Sequence, residues 1–363
     1  MIAESLLKNI DRGRKGLNHG FSMGLPKIES VVCGIFPKCS TVVFSPTGVG
    51  KSSIVLYAYV YAPLKEHLED GLYTCDYFSL EMSADDIYAK LLCIYMFETY
   101  GIDISLNEIL SRKKGYILPD DIYLKVQESM GWIHKVEKVV HVYDDMANAE
   151  KIYAIMKHTA ELNGKFSKIG KHVIYTPNNP QQVRMSIVDH MSLLTPSNGR
   201  KTIKEEIDIT SKYQISLREQ TSATIVDIMQ SNRESASIDR RKAGLSDMRI
   251  SDIKDSGNPA QDAYIVISLF SPQREKLSSH NGYDISILKD HFRSVQILKN
   301  RFGEADKEVG LNFFGHNGMW HELPKPDEIN DMSIYTNPNY LLNKDKQEIK
   351  KDEETKKTFN FVV

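Results

Sequence analysis

Apolar positions along this chain fall into two alternating rhythms. Ile2, Leu6, Leu7 and Ile10 recur at helical spacing with charges between them, which predicts a short amphipathic helix over about 1–16. Such a helix is marginal alone in water and needs a surface, its own domain or a neighbouring subunit. Residues 17–40 are rich in glycine and interrupted by Pro26 and Pro37, and read as a loop-rich lead-in. From there β-type runs appear at 41–44, 72–80, 172–175, 185–189, 223–229, 264–270, 293–298 and 311–314. Helical patterns lie between the early ones, at 54–59, 84–100, 147–163 and 204–221, and residues 101–171 read as mostly helical with a basic loop at 163–171. The late runs are joined by short turns, such as Gly315-His316-Asn317-Gly318 before Met319-Trp320. This order predicts an α/β fold, a mostly parallel twisted sheet flanked by helices with antiparallel edge strands.

Composition narrows the class. An apolar share of 41% and a charged share of 26% over 363 residues suit a soluble chain with a sizeable core. The net charge of −2 carries no basic bias, so any nucleic-acid contact must be local or created by assembly. Cys33, Cys39, Cys75 and Cys93 form no C-x-x-C pair and read as reduced thiols. The pattern holds no apolar leader and no run of membrane-spanning length, so the expected place is the cytoplasm, bacterial or, for a viral source, the host's. Three regions are expected: a linker helix at 1–19, a motor-sized domain at 20–325 and a charged, unstructured tail at 326–363 whose last five residues, Phe359-Asn360-Phe361-Val362-Val363, turn apolar again.

The chemistry centres on Ser45-Pro46-Thr47-Gly48-Val49-Gly50-Lys51-Ser52-Ser53. Strand, glycine-containing turn, then Gly-Lys-Ser at a helix start is the phosphate-binding loop arrangement. Backbone N–H groups in the turn and at the helix start converge on one point, and the helix dipole favours an anion there. Lys51 is expected on the β- and γ-phosphates of ATP and the Ser52 hydroxyl on Mg²⁺. Ser45 stands where the first glycine of such loops is usual.

Three further positions fall at predicted strand ends, which in an open α/β sheet face the ligand crevice. Asp189 closes the run 185–189 and suits the second Mg²⁺ contact, made through water. Glu81 follows the run 72–80 and reads either as the carboxylate that orients the attacking water or as an acid favoured by a helix N-terminus. Gln230 and Arg233, just past 223–229, read as γ-phosphate or nucleic-acid contacts or as a solvated strand end.

With these residues in view the chain resembles the motor domain of the DnaB-type replicative helicases, the RecA-like ring ATPases of helicase superfamily 4. The shared elements are Gly-Phe-x-x-Gly-Leu at 20–25, Ser-Pro-Thr-Gly-Val-Gly-Lys-Ser at 45–52, Phe-Ser-Leu-Glu-Met at 78–82 and Ile-Val-Asp at 187–189. Gln-Ser-Asn-Arg at 230–233, Asp-Ile-Lys-Asp-Ser-Gly-Asn-Pro-Ala-Gln-Asp-Ala at 252–263 and Leu-Lys-Asn-Arg-Phe-Gly at 298–303 follow in the family's order, with Phe314 and Trp320 on the closing strands.

The resemblance implies a RecA-like P-loop NTPase core that uses ATP and Mg²⁺. It makes Glu81 the catalytic carboxylate, Asp189 the metal-associated acid and Gln230 the sensor between nucleotide and DNA. Lys299 and Arg301 match the pair that reaches the next subunit's nucleotide. Lys254, Asp255 and Gly257 fall in the inner DNA-binding loop, and Arg240, Arg241 and Lys242 either add to that channel or form a solvated basic loop. The implied partners are single-stranded DNA, further copies of the chain in a hexameric ring, and a primase or loader; the implied travel is 5′ to 3′. Departures are His190 in place of an aromatic, Pro259 within the 252–263 element, and only about 20 residues before the resemblance, where the family carries an N-terminal helical domain. A RecA/RadA-like recombinase and an idle nucleotide-binding replication adaptor are the alternatives.

Overall fold

The computed structural model describes residues 2–170, 172–196, 201–232 and 248–340. They form two compact units. The first comprises Met1–Ile87, Trp132–Phe270 and Val295–Val309, and the second Tyr88–Gly131, Ser271–Ser294 and Gly310–Val363.

The first unit opens with α1 (Ile2–Arg14), then α2 (Pro26–Val32), which replaces part of the expected loop. Pro26 sits in the first turn of α2, where its missing N–H and fixed φ cost nothing, so here proline starts a helix rather than breaking one. Strand β1 (Ser40–Ser45) leads into α3 (Lys51–Val55), which continues through a π-helical turn at Leu56–Tyr61 into α4 (Ala62–His67). Next come β2 (Tyr73–Ser79) and α5 (Ala84–Tyr100), then α6 (Leu106–Ile109) and α7 (Asp120–Val136). Strand β3 (Val140–Tyr143), helix α8 (Ala149–Leu162), β4 (Gly164–Ile169), β5 (His172–Pro177), β6 (Val183–Asp189), α9 (Ile203–Thr221) and β7 (Thr224–Gln230) follow. The helix α10 (Asn258–Asp262) precedes β8 (Ile265–Phe270).

In this unit the strand order is β8-β1-β7-β6-β2-β3, and the pairs β1·β8, β1·β7, β6·β7, β2·β6 and β2·β3 are all parallel. Every residue of β1, β2 and β6 is buried, as strands covered on both faces must be. Even-numbered positions of β1 and β2, Val42, Phe44 and Phe78, join Val188 of β6 in a cluster with Ile152 and Met156 of α8 and Ile207 and Leu217 of α9. Truncating a fully buried phenylalanine such as Phe44 costs about 3–5 kcal/mol, so this face carries much of the unit's stability. Helix α9 starts on a capping box, Thr202 accepting from Glu205 N–H and Glu205 from Thr202 N–H. From its first turn the buried Glu206 reaches the Ala149 N–H at 2.8 Å and satisfies the start of α8.

Two expectations for 101–171 change. Residues 140–143 form a strand, because Val140 and its β-branched neighbours pair with β2 in register Cys75↔Val140. The expected basic loop at 163–171 is partly a strand: β4 pairs antiparallel with β5 in a separate ribbon, anchored by the Phe166–Tyr175 ring pair at 5.0 Å and the Tyr175 hydroxyl on Ala160 O at 2.9 Å.

In the second unit β12 (Lys307–Phe314) and β13 (Met319–Glu322) pair antiparallel, with register Phe313↔Trp320. Their turn is held by Asp103, whose Oδ1 lies 2.5 Å from His316 Nε2 and 2.8 Å from Asn317 Nδ2. A small core unites Tyr283, Ile285, Leu288, Leu323 and Tyr335. Tyr335 is buried there and Tyr340 packs beside it, so ordered chain continues past the expected tail boundary at 326. The apolar Met332, Ile334 and Tyr335 supply burial that a charged tail lacks. The remaining tail, 341–363, lies outside the described residues. Among the described residues no helix is long and apolar enough to cross a membrane.

Candidate nucleotide and nucleic-acid site

The carboxyl ends of the parallel strands lie level with one another. Ser45 of β1 is opposite Gln230 of β7, and Ser79 of β2 is opposite Asp189 of β6. Everything predicted for the crevice except Arg233, Arg240, Arg241 and Lys242 is described; those four lie outside the described residues.

The turn after β1 bends through Gly48 at φ +75° and Gly50 at φ +116°, values that a side chain resists. Ser45 replaces the usual glycine without strain, because it is still the last residue of the strand and its hydroxyl donates to Pro46 O at 2.9 Å. Lys51 is buried, and its ammonium donates to Ser45 O at 3.1 Å and Pro46 O at 3.0 Å, curling over the loop it follows. Burial pushes its pKa down to about 8, against the opposing pull of the Asp189 and Glu81 charges. An anion set against the loop restores the favoured charge on that lysine.

Ser52, one residue into α3, donates its hydroxyl to Asp189 Oδ1 at 2.9 Å, and the Tyr77 hydroxyl donates to Asp189 Oδ2 at 2.7 Å. Burial raises the Asp189 pKa, while these two hydrogen bonds work to hold the charged form. The donor set suits Mg²⁺, which takes one or two protein oxygens and completes its shell with water and substrate phosphates. Among the described residues no group of three or more histidine, cysteine or acidic side chains could form a protein-only cage.

Glu81 stands just beyond β2, exposed, in a turn fixed by the Leu80 N–H on Asp189 O at 2.8 Å and the Ser79 hydroxyl on Met82 O at 2.6 Å. The acids in the first turn of α5 are Asp85 and Asp86, after Ser83, whose hydroxyl accepts the Asp86 N–H. Glu81 therefore lies outside the helix, and its charge acts on Lys51, Asp189 and His190 instead. His190 takes the place of an aromatic beside Asp189; burial lowers its pKa.

Gln230 donates from its side-chain amide to the Thr47 hydroxyl of the phosphate loop. Beyond it, Asn232 N–H bonds Asp252 O at 2.7 Å, tying the 252–257 loop to the end of β7. In that loop Lys254 is half-exposed and 3.8 Å from the Asp255 carboxylate. Asp255, not Gly257, takes the left-handed backbone, at φ +68°. Gly257 has ordinary φ, and a Cβ there would meet nothing nearer than Gln261 Nε2 at 3.9 Å. Ser256 donates to Asp208 of α9 at 2.5 Å. Pro259 does not interrupt the element: it lies in the first turn of α10.

Past β8 the chain returns through β11 (Phe292–Asn300), whose residues 295–300 belong to the first unit. Lys299 donates to Ala260 O at 3.0 Å and Gln261 O at 2.7 Å, neutralising the carboxyl end of α10 within its own chain. Arg301 is exposed, with its guanidinium 5.2 Å from the Tyr264 ring. The structure thus gathers Lys51, Ser52, Asp189, Glu81, Thr47 and Gln230 at one edge. Tyr77 and Asp208 were missed from sequence; the only signal for Tyr77 is a hydroxyl two residues before a strand's carboxyl end.

This constellation on a parallel sheet is that of a RecA-like ATPase. A model of the DnaB-like helicase C-terminal domain matches residues 20–321, and the chain belongs to that family. It is a helicase-type replication ATPase domain by that membership. Among solved structures it is similar to the ATPase domain of a DnaB-family helicase, with 16% identity, 89% of this chain and 99% of that one covered, and a TM-score of 0.67. It is also similar to a DnaB-like replicative helicase described with its interactions with primase, at 16% identity, with 89% and 67% covered and a TM-score of 0.64. At these identities the two structures speak for the fold.

Proposed function

We propose that this chain is the ATP-driven motor of a replicative DNA helicase, working as a ring, hexameric, around single-stranded DNA and travelling 5′ to 3′. The observation that carries the reading is the junction of Lys51, Ser52 and Asp189 with Gln230 on Thr47, which joins a triphosphate cradle to a sensor. The motor occupies 20–325, the α1 helix is its link to a neighbour, and the tail from 341 is a further partner surface.

ATP is the substrate. The turn N–H groups and Lys51 hold its phosphates, and Ser52 and Asp189 hold the metal between them. Mg²⁺, when bound, neutralises charge on the β- and γ-phosphate oxygens. Glu81 accepts a proton from the attacking water and orients it, as a solvent-facing carboxylate at that height can. Arg301 of one copy supplies positive charge to the transition state in the next, which ties turnover to assembly. Its exposure supports that role. Lys299 supports the same strand through α10. Gln230 then passes the state of the phosphates to Lys254, Asp255 and Gly257, which grip the DNA backbone through a cation and main-chain N–H groups. Arg233, Arg240, Arg241 and Lys242 extend that grip. Primase and a ring loader are the partners in this reading, in the cytoplasm.

Apolar residues of α1 support the ring. Ile2 is 89% exposed and Leu6 and Leu7 are each 59% exposed, an apolar stripe unmet by its own chain. The test is a forked-duplex unwinding assay with ATP and tails of either polarity. Unwinding that needs a 5′ tail supports the reading; strand exchange without unwinding, or nucleotide binding with no DNA-stimulated hydrolysis, overturns it.

A further inference from the structure

The metal-associated carboxylate is held from two sides, and the second holder lies outside every motif. Asp189 Oδ1 receives the Ser52 hydroxyl at 2.9 Å, and Oδ2 receives the Tyr77 hydroxyl at 2.7 Å. Both Tyr77 and Asp189 are buried, with the tyrosine side chain fully enclosed.

The register explains why tyrosine fits. Tyr77 is opposite Ile187, and Asp189 is opposite Ser79, so the two residues are diagonal neighbours on adjacent parallel strands. Bridging them requires reaching along the strand by two residues, about 6.6 Å at the usual rise. A phenol spans that distance; serine and threonine do not, and phenylalanine spans it without a donor. Residues 73, 75, 77 and 79 share one face of β2, so the hydroxyl must point to the face on which Asp189 lies.

A carboxylate turns freely about its last bond unless its oxygens are pinned. With Ser52 alone, the Asp189 plane can rotate around one hydrogen bond. With donors on both oxygens, one orientation remains. We propose that Tyr77 is a positioning residue for the divalent cation that accompanies a nucleoside triphosphate, fixing the Asp189 carboxylate plane so that Oδ1 stays turned toward Ser52. The inference rests on the reading of Ser52 and Asp189 as the metal pair.

The test measures equilibrium binding of a fluorescent, non-hydrolysable ATP analogue to the full chain while Mg²⁺ is titrated. Tyr77→Phe deletes one atom and keeps the ring, and thermal melting confirms that it folds. Its half-saturating Mg²⁺ concentration is expected to rise about five- to twentyfold, the loss of one hydrogen bond to a charged group, while affinity for the analogue in EDTA stays within about twofold. Tyr73→Phe is the matched control: Tyr73 is equally buried on the same strand face, but its hydroxyl goes to Tyr59 O. That variant keeps the wild-type midpoint. Asp189→Asn raises the midpoint further than either. A Tyr77→Phe midpoint equal to wild type, beside a raised Asp189→Asn midpoint, overturns the role of Tyr77 alone. An Asp189→Asn midpoint equal to wild type overturns the metal pair itself. A shift of the same size in Tyr73→Phe assigns the effect to loss of any buried hydroxyl and overturns the inference.

Discussion

Lys254 donates its backbone N–H to the carbonyl of Gln230 at 2.8 Å. The same glutamine holds the Thr47 hydroxyl through its side chain, so one residue touches the phosphate loop with one end and the proposed DNA loop with the other. A mechanical link of this kind needs no long pathway. Movement of Thr47 by the length of a hydrogen bond is felt one residue away from Lys254.

Gln230→Ala cuts the side-chain half of that link and leaves the backbone half. Basal ATP hydrolysis is expected to persist within about threefold, since one neutral hydrogen bond contributes about 0.5–1.5 kcal/mol. Stimulation by single-stranded DNA is expected to vanish. Steady-state ATPase rates with and without an oligonucleotide check this; full stimulation in the variant assigns coupling elsewhere.

The two-copy site gives a prediction that single variants cannot. Glu81→Gln and Arg301→Ala should each abolish turnover alone while binding nucleotide within a few fold. A mixed ring contains boundaries where an intact Glu81 faces an intact Arg301, roughly a quarter of them in an equal mixture if the arginine acts across the boundary. Recovered ATPase on mixing and reassembly is the expected result. No recovery would place both residues in one copy's site.

How far sequence reading reached follows from what each signal depends on. Glycines at 48 and 50 and the run 185–189 depend on local backbone and strand patterning, so the loop and Asp189 were legible. Helix α2 was not, because Pro26 looks the same at a helix start as in a loop. The β4–β5 ribbon was half-hidden, since a lysine-rich strand with glycine at its edge has no apolar alternation to mark it. Tyr77 was invisible for a different reason. Its hydroxyl matters only through a register between strands 112 positions apart, and no local pattern encodes that. Lys299 shows the converse: the motif was legible, yet its bonds to the carbonyls of α10 appear only once the chain is folded.

Assembly should depend on the exposed face of α1. Leu6→Glu with Leu7→Glu places charge on two side chains that are each more than half exposed, so the isolated chain loses little stability. The expected outcome is an unchanged melting temperature, a shift from ring to smaller species in mass photometry, and ATPase falling with the ring. An unaltered ring would leave α1 without a docking role.

The last prediction concerns stability and a carboxylate that no proposed step uses. Asp227 of β7 is buried, with its Oδ1 accepting from Gln214 Nε2 at 2.8 Å, and burial pushes its pKa from the ordinary 3.8 up to about 7. Between those values the folded chain keeps a proton that the unfolded chain has released. Folded protein therefore binds more protons than unfolded across this window, and stability falls as pH rises from about 4 to about 7, then levels off. The penalty above pH 7 is on the order of a few kcal/mol. Asp227→Asn keeps the shape and a hydrogen-bonding partner for Gln214 without the charge. Urea unfolding at pH 5, 6, 7 and 8 should show the variant drawing ahead of wild type as pH rises, with little difference near pH 4. Parallel curves for the two proteins across that range would mean that Asp227 is charged in the fold and compensated by a partner other than Gln214.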